Sequence, residues 1–189
     1  MRIIAGTARS RTIEAPEGLD TRPTLDRVKE SLFNILQGQL QDSSVLDLFA
    51  GSGALGLEAL SRGASHAVFA DVSPQTAKII QNNVDRLGFS KRAQVLRSDW
   101  CAAVSTLAIG KNHAFDLVFL DPPYRMTNTD EICLHMLHSG ILSPGALIVI
   151  EHAFETPPRL SEDFIVTDSR RYRETGITFC TLAGGKEGA

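Results

Sequence analysis

Short apolar runs and helical repeats alternate through the middle of the chain. The runs are Val45–Phe49, Ala67–Ala70, Ala93–Leu96, Phe115–Leu120 and Ala146–Ile150. Between them, Ala54–Arg62, Pro74–Leu87, Trp100–Ala108 and Asp130–His138 read as helices. Continuous apolar strands separated by helices predict a parallel sheet covered on both faces, because neither face of such a strand meets water. Upstream, Leu25, Val28, Leu32, Ile35 and Leu36 recur at helical spacing, which predicts a helix from about Leu25 to Gln37 capped by Thr24. After Glu151 the rhythm changes. Phe164–Thr167 and Ile177–Leu182 read as strands around an Arg170–Glu174 turn, with no helix between them. They are expected to form an antiparallel hairpin at the sheet edge. The predicted architecture is one doubly wound α/β domain over residues 41–183, an N-terminal extension over 1–40 and a frayed tail over 184–189.

Composition narrows the class. The 189 residues are 43% hydrophobic and 22% charged, ordinary values for one globular domain. No apolar run reaches the ~18 residues of a membrane span. Met1–Gly6 is broken too soon by Arg9 and Arg11 to read as a signal peptide. Three widely spaced cysteines argue against a disulfide framework and lead to the expectation of a reducing cytoplasm. A net charge of −3 speaks against wholesale polyanion binding, yet the arginines are uneven. Arg2, Arg9 and Arg11 precede any acid, Arg22 and Arg27 follow, and Arg170, Arg171 and Arg173 surround Tyr172. Solvated loops and a phosphate-contacting rim both fit this distribution, and composition does not choose between them.

Candidate chemistry begins at Gly51-Ser52-Gly53-Ala54-Leu55-Gly56, which follows a strand and opens a helix, with Asp71 twenty residues after Gly51. The spacing matches a Rossmann-type nucleotide loop, with Asp71 aimed at ribose hydroxyls. Alone the match is weak, because a structural turn satisfies it equally. Asp47 decides between ligands. Its charge, inside the strand that feeds the loop, would repel a pyrophosphate but suits the ammonium and sulfonium of S-adenosylmethionine. Asp99 is placed to accept from an adenine amino group, with Trp100 beside the ring. The expected cofactor contacts are therefore Asp47, Phe49, Ala50, Gly51, Ser52, Gly53, Asp71, Val72, Asp99 and Trp100, with no metal.

A second element, Asp121-Pro122-Pro123-Tyr124, ends the fourth predicted strand. Two prolines end a strand for structural reasons alone. Their position at the carboxyl end of the sheet favours a chemical role. An exocyclic base nitrogen is a poor nucleophile, since its lone pair is delocalised into the ring. The Asp121 carboxylate and the Pro122 carbonyl are able to accept its two N–H bonds and orient the lone pair. Pro122 and Pro123 stiffen the turn, and Tyr124 offers a ring for stacking an extruded base.

With these motifs in view, the chain resembles the SAM-dependent amino-methyltransferases that act on nucleic-acid bases. The stretches Arg2–Gly6, Thr21–Asn34 and Asp47–Gly63 are similar to the RsmD family, and the likeness runs from Arg2 to about Leu182. The resemblance implies a Rossmann-like methyltransferase sheet and methylation of N2 of one guanine in bacterial 16S ribosomal RNA, within the small subunit or its precursor. It implies cofactor roles for Asp47, Gly51, Gly53, Asp71 and Asp99, and a catalytic role for Asp121–Tyr124. It also implies that the extension with Arg2, Arg9, Arg11, Arg22 and Arg27 closes over the site and touches RNA. A monomer is the expected state.

Other readings are set aside on specific grounds. A DNA adenine-N6 or cytosine-N4 methyltransferase would use the same acceptor elbow, but no separate segment is long enough to read duplex sequence. A NAD-dependent oxidoreductase would need a substrate domain and would leave Asp47 and Asp121 unexplained, while an RNA-binding scaffold would not need Asp121. Cys133, His135 and His138 lack further ligands at metal-binding spacing. Cys101 and Cys180 read as core residues, and His66, His113 and His152 have no partner visible in sequence.

Overall fold

The computed structural model describes residues 1–16, 23–110, 114–123, 125, 126 and 128–184, with backbone alone for 23–26. In chain order the elements are α1 (Pro23–Ile35), a 3-10 turn (Gln37–Gln39), β1 (Ser44–Asp47), α2 (Ala54–Ser61), β2 (His66–Asp71), α3 (Pro74–Leu87), β3 (Ala93–Arg97) and α4 (Trp100–Ile109). They continue with β4 (Phe115–Leu120), α5 (Thr129–His138), β5 (Leu142–Ala153), β6 (Phe164–Tyr172) and β7 (Thr175–Leu182). The strands lie in the order β3-β2-β1-β4-β5-β7-β6, parallel except where β7 runs against β5 and β6. Between β1 and β4 the winding direction reverses, which opens a crevice above their carboxyl ends.

Alternate residues of each strand enter different cores. Val45, Phe69, Leu117, Phe119, Val149 and Phe179 pack beneath α1, α2 and α3, against Phe33, Leu57 and Ile80. Leu46, Val68, Val118, Ile148 and Cys180 pack beneath α4 and α5, against Val104 and Met136. That two-sided burial is why the strands read as unbroken apolar runs.

Three local expectations need correction. The first helix begins at Pro23, before Thr24, because proline needs no hydrogen bond for its missing N–H and presets the helical φ in a first turn. β6 continues to Tyr172, so the turn narrows to Arg173 and Glu174, with Arg173 at φ 61°. Its polar run Asp168–Arg171 suits an edge strand whose residues are mostly exposed. β5 runs on to Ala153 because β7 pairs with it as far as Ala153↔Thr175. Residues 185–189, most of the expected tail, lie outside the described residues.

The N-terminal residues are fastened to α2 by a buried carboxylate. Met1–Ile13 folds back on itself through the Arg2↔Thr12 bridge and sinks Ile3, Ala8 and Ile13 into the core shared with α1–α3. Ile4 and Ala5 donate their backbone N–H groups to the two oxygens of Glu58 at 2.8 and 3.0 Å. Glu58 is fully buried and also meets Arg62 Nε at 2.7 Å and Lys29 Nζ at 3.4 Å. One turn on, Ser61 Oγ donates to Ala5 O at 2.6 Å and accepts from Ala8 N–H at 2.9 Å. Gly6, at φ 82°, lets the backbone approach so closely that a Cβ would lie 1.8 Å from Ser61 O.

Two outcomes test this fastening in urea unfolding. Gly6→Ala is expected to cost at least about 2 kcal/mol, since both the φ and the contact are violated. Glu58→Gln is expected to cost about 3–5 kcal/mol, because buried Lys29 and half-buried Arg62 lose the opposing charge. In the second variant, hydrogen exchange should rise first in residues 1–13; uniform exchange would contradict the assignment.

Candidate active site at the sheet switch point

A cavity of about 720 Å³ occupies the crevice above β1 and β4. The loop after β1 forms its floor. Gly51, at φ 53°, donates its N–H to Asp71 Oδ2 at 3.1 Å, and a Cβ there would meet nothing within 4 Å. Backbone at Gly51 therefore faces open space, as close approach of a ligand requires. Gly53 and Gly56 serve packing instead. Gly53 starts α2 in the left-handed region at φ 78°, and a Cβ on Gly56 would lie 2.3 Å from the Phe69 ring.

Among the described residues five carboxylates line the cavity: Asp47, Asp71, Asp99, Asp121 and Glu151. Asp47 is buried on β1 and accepts Gly56 N–H at 3.0 Å. Burial outweighs that hydrogen bond, and with the nearby charges of Asp121 and Asp71 it pushes the Asp47 carboxyl up to about 7. Asp71 also accepts Ser73 N–H at 2.9 Å, so it anchors the glycine loop to the start of α3. Asp99 caps α4 by accepting Ala102 N–H at 2.9 Å through Oδ1 and also lines the cavity. Asp121 is open to the cavity, yet crowding by surrounding protein raises its carboxyl to about 6. Only Lys29 and Arg125 bring cationic side chains to the lining among the described residues, and Lys29 is spent on Glu58 and on Arg2 O at 2.6 Å.

Most predicted residues meet here. Phe49, Ala50, Gly51, Ser52, Val72 and Trp100 share the lining with Asp121, Pro122 and Pro123. Gly53 lies behind the loop, and Tyr124 falls outside the described residues. A turn closed by Met126 N–H on Pro123 O, at 2.7 Å, follows the acceptor elbow. Among the described residues, the arginines of the extension are not part of the lining. Arg11 reaches the carbonyls of Arg86 and Leu87 at the end of α3, Arg9 and Arg27 are exposed, and Arg22 is outside the described residues. Sequence reasoning missed the wall made by Met1, Val28, Lys29 and Leu32, and it missed Glu151. Helical periodicity in α1 marked Val28 and Leu32 as inward-facing but not as facing a cavity.

The remaining side chains set aside earlier find ordinary places. Cys133 and Cys180 are buried and their thiols are pushed up, Cys180 to about 12. Cys101 is exposed, contrary to the core expectation, because it sits on the outer side of the first turn of α4. His152 bonds Ala153 O and Thr178 Oγ1, each at 2.9 Å, while His113 is outside the described residues. No group of three or more potential metal ligands occurs among the described residues. Arg170 pairs with Asp168 at 2.8 Å, and Arg171 lies 3.8 Å above the Phe154 ring.

Comparison with known proteins agrees with this geometry. A family model described as Conserved hypothetical protein 95 matches residues 1–182. Ribosomal RNA small subunit methyltransferase D of Haemophilus influenzae is 37% identical over 179 residues, 94% of this chain and 90% of that one. Its Escherichia coli namesake is 39% identical over 155 residues, 82% and 76% of the two chains. The solved structure of Escherichia coli yhhF superposes with a TM-score of 0.83 at 34% identity, over 96% of this chain and 97% of that one. SMU.776, solved in complex with SAH, shares the fold at a TM-score of 0.65 and 15% identity, over 82% and 48% of the chains. A mostly parallel sheet with an antiparallel edge hairpin, the acidic crevice and these likenesses together make the chain a member of the RsmD family of methyltransferases.

Proposed function

We propose that this protein transfers a methyl group from S-adenosylmethionine to the exocyclic N2 of a guanine in 16S ribosomal RNA, within the small subunit or its precursor. The observation that carries the reading is the shared cavity, in which Asp121, Pro122 and Pro123 lie with Gly51 and Asp47. The names of the Haemophilus influenzae and Escherichia coli relatives support a small-subunit ribosomal RNA substrate.

The residues fit a cationic nucleoside ligand. Asp47 holds a buried carboxyl that accepts the Gly56 backbone N–H and, among the described residues, meets no cationic side chain, so a positive ligand nearby relieves it. Gly51 leaves room for backbone approach, and Asp71 and Asp99 retain acceptor capacity after their backbone bonds. When bound, S-adenosylmethionine supplies an electrophilic methyl group on a sulfonium centre. Asp121 and the Pro122 carbonyl accept the two amino N–H bonds of the base and orient its lone pair. As positive charge develops on that nitrogen, these fixed acceptors stabilise it without reorganising. Lining by Leu32, Phe49 and Ile177 excludes water around them. Arg2, Arg9, Arg11, Arg22 and Arg27 are proposed to meet the phosphate backbone outside the cavity.

Asp121→Ala should lower kcat at least about 100-fold with calorimetric binding of S-adenosylhomocysteine retained; full activity would remove the catalytic role. Wild-type kcat/KM should fall as pH drops through about 6, where Asp121 gains a proton and loses acceptor capacity.

For Asp47, the folded chain keeps a proton that the unfolded chain has lost between 3.8 and about 7. The unliganded protein should therefore lose stability as pH rises through that window. Asp47→Asn should raise the unliganded Tm at pH 8 by several degrees, flatten that slope, most of all above about 6 where the Asp121 contribution has ended, and weaken S-adenosylmethionine binding; an unchanged slope would refute the buried-charge account. Arg9→Ala and Arg27→Ala should each reduce the slope of log RNA affinity against log salt by about 1, leaving cofactor binding untouched.

A further inference from the structure

β4 and β5 pair in parallel through Leu120↔Ile150, so Asp121 and Glu151 are the next residues on two neighbouring strands. Both follow a residue of the α4–α5 core and therefore turn to the opposite face, where both line the cavity. Neighbouring strands are about 4.8 Å apart, the scale of adjacent hydrogen-bonding positions on a base edge across two acceptors. Glu151 is half-buried at the end of an otherwise apolar strand segment, Leu147–Ile150. Nothing in the methyl-transfer step described above uses it.

A second carboxylate beside the acceptor elbow has a chemical consequence that differs among the bases. Guanine presents N1–H directly next to its N2 amino group. With N2 held by Asp121 and Pro122, that N1–H is the neighbouring donor on the same edge. Adenine offering N6 presents the bare lone pair of N1 there, and cytosine offering N4 presents that of N3. An ionised carboxylate accepts and does not donate, so it bonds the first and repels the other two. We infer that Glu151 reads the N1–H of the target base and so restricts the acceptor elbow to guanine. This inference rests on the base-amino methylation proposed above and deepens it.

The test replaces the target guanine with 2-aminopurine, which keeps the 2-amino group but has an unprotonated N1. The target is first mapped by tritium transfer from S-adenosylmethionine to small subunits lacking the modification, followed by nucleoside analysis. Reconstituted subunits carrying guanine or 2-aminopurine at that nucleotide are then compared. The wild type should prefer guanine by about 100-fold or more in kcat/KM, as expected when a site built around one donor loses it.

In Glu151→Gln, whose amide both donates and accepts, that preference should fall at least tenfold. S-adenosylhomocysteine binding should stay within twofold, which a general loss of structure would not allow. If wild type makes N2-methylguanosine yet uses 2-aminopurine equally well, Glu151 has no reading role while the proposed reaction stands. If Glu151→Gln folds and keeps the wild-type preference, the same conclusion follows. Absence of N2-methylguanosine from the wild-type product would remove the reaction and the inference together.

Discussion

Negative charge collected at the carboxyl ends of parallel strands is the constraint around which this molecule is organised. Parallel pairing brings the ends of β1, β2, β4 and β5 to one edge, and each delivers a carboxylate: Asp47, Asp71, Asp121 and Glu151. Backbone N–H groups of Gly56, Gly51 and Ser73 hold two of them in place. These dipoles moderate the field without cancelling it, and burial keeps Asp47 well above the ordinary carboxylate range. Such an edge suits cations and hydrogen-bond donors and opposes phosphates.

The wall that completes the crevice depends on a different buried charge. Glu58 gathers Ile4, Ala5, Lys29 and Arg62, thereby joining the N-terminal fold-back and α1 to α2. Met1, Val28, Lys29 and Leu32 reach the cavity from those two segments. The glycine-loop floor and the opposite wall of the cavity thus depend on one helix, with Gly53 and Gly56 at its start and Glu58 and Ser61 beyond. Tyr172 Oη, 2.7 Å from Ser31 Oγ, ties the edge hairpin to the same wall.

Most of the sheet was legible in the sequence because burial on both faces writes a continuous apolar run, and the helices between the strands keep their own period. The ends of β5 and β6 were not, since their pairing with β7 is long-range and the Asp168–Arg171 part of β6 is polar on both faces as an exposed edge. Asp47, Gly51, Asp71 and Asp121 were legible from spacing and position. Glu58 was not, because no spacing rule links residue 58 with residues 4, 5 and 29. Glu151 was hidden for a related reason: its closeness to Asp121 exists only through the β4–β5 register. The contact of the Arg11 guanidinium with the carbonyls ending α3 was not legible either, because it joins segments far apart in the chain.

The three thiols differ in a way that reaches beyond stability. Cys133 and Cys180 are sealed in the α4–α5 core and held protonated, while Cys101 is exposed one residue after Trp100, which lines the cavity. Alkylating dyes thus have a single ready target on the native fold, next to an indole able to quench them. Without any engineering, fluorescence from that position becomes a reporter of what enters and leaves the crevice.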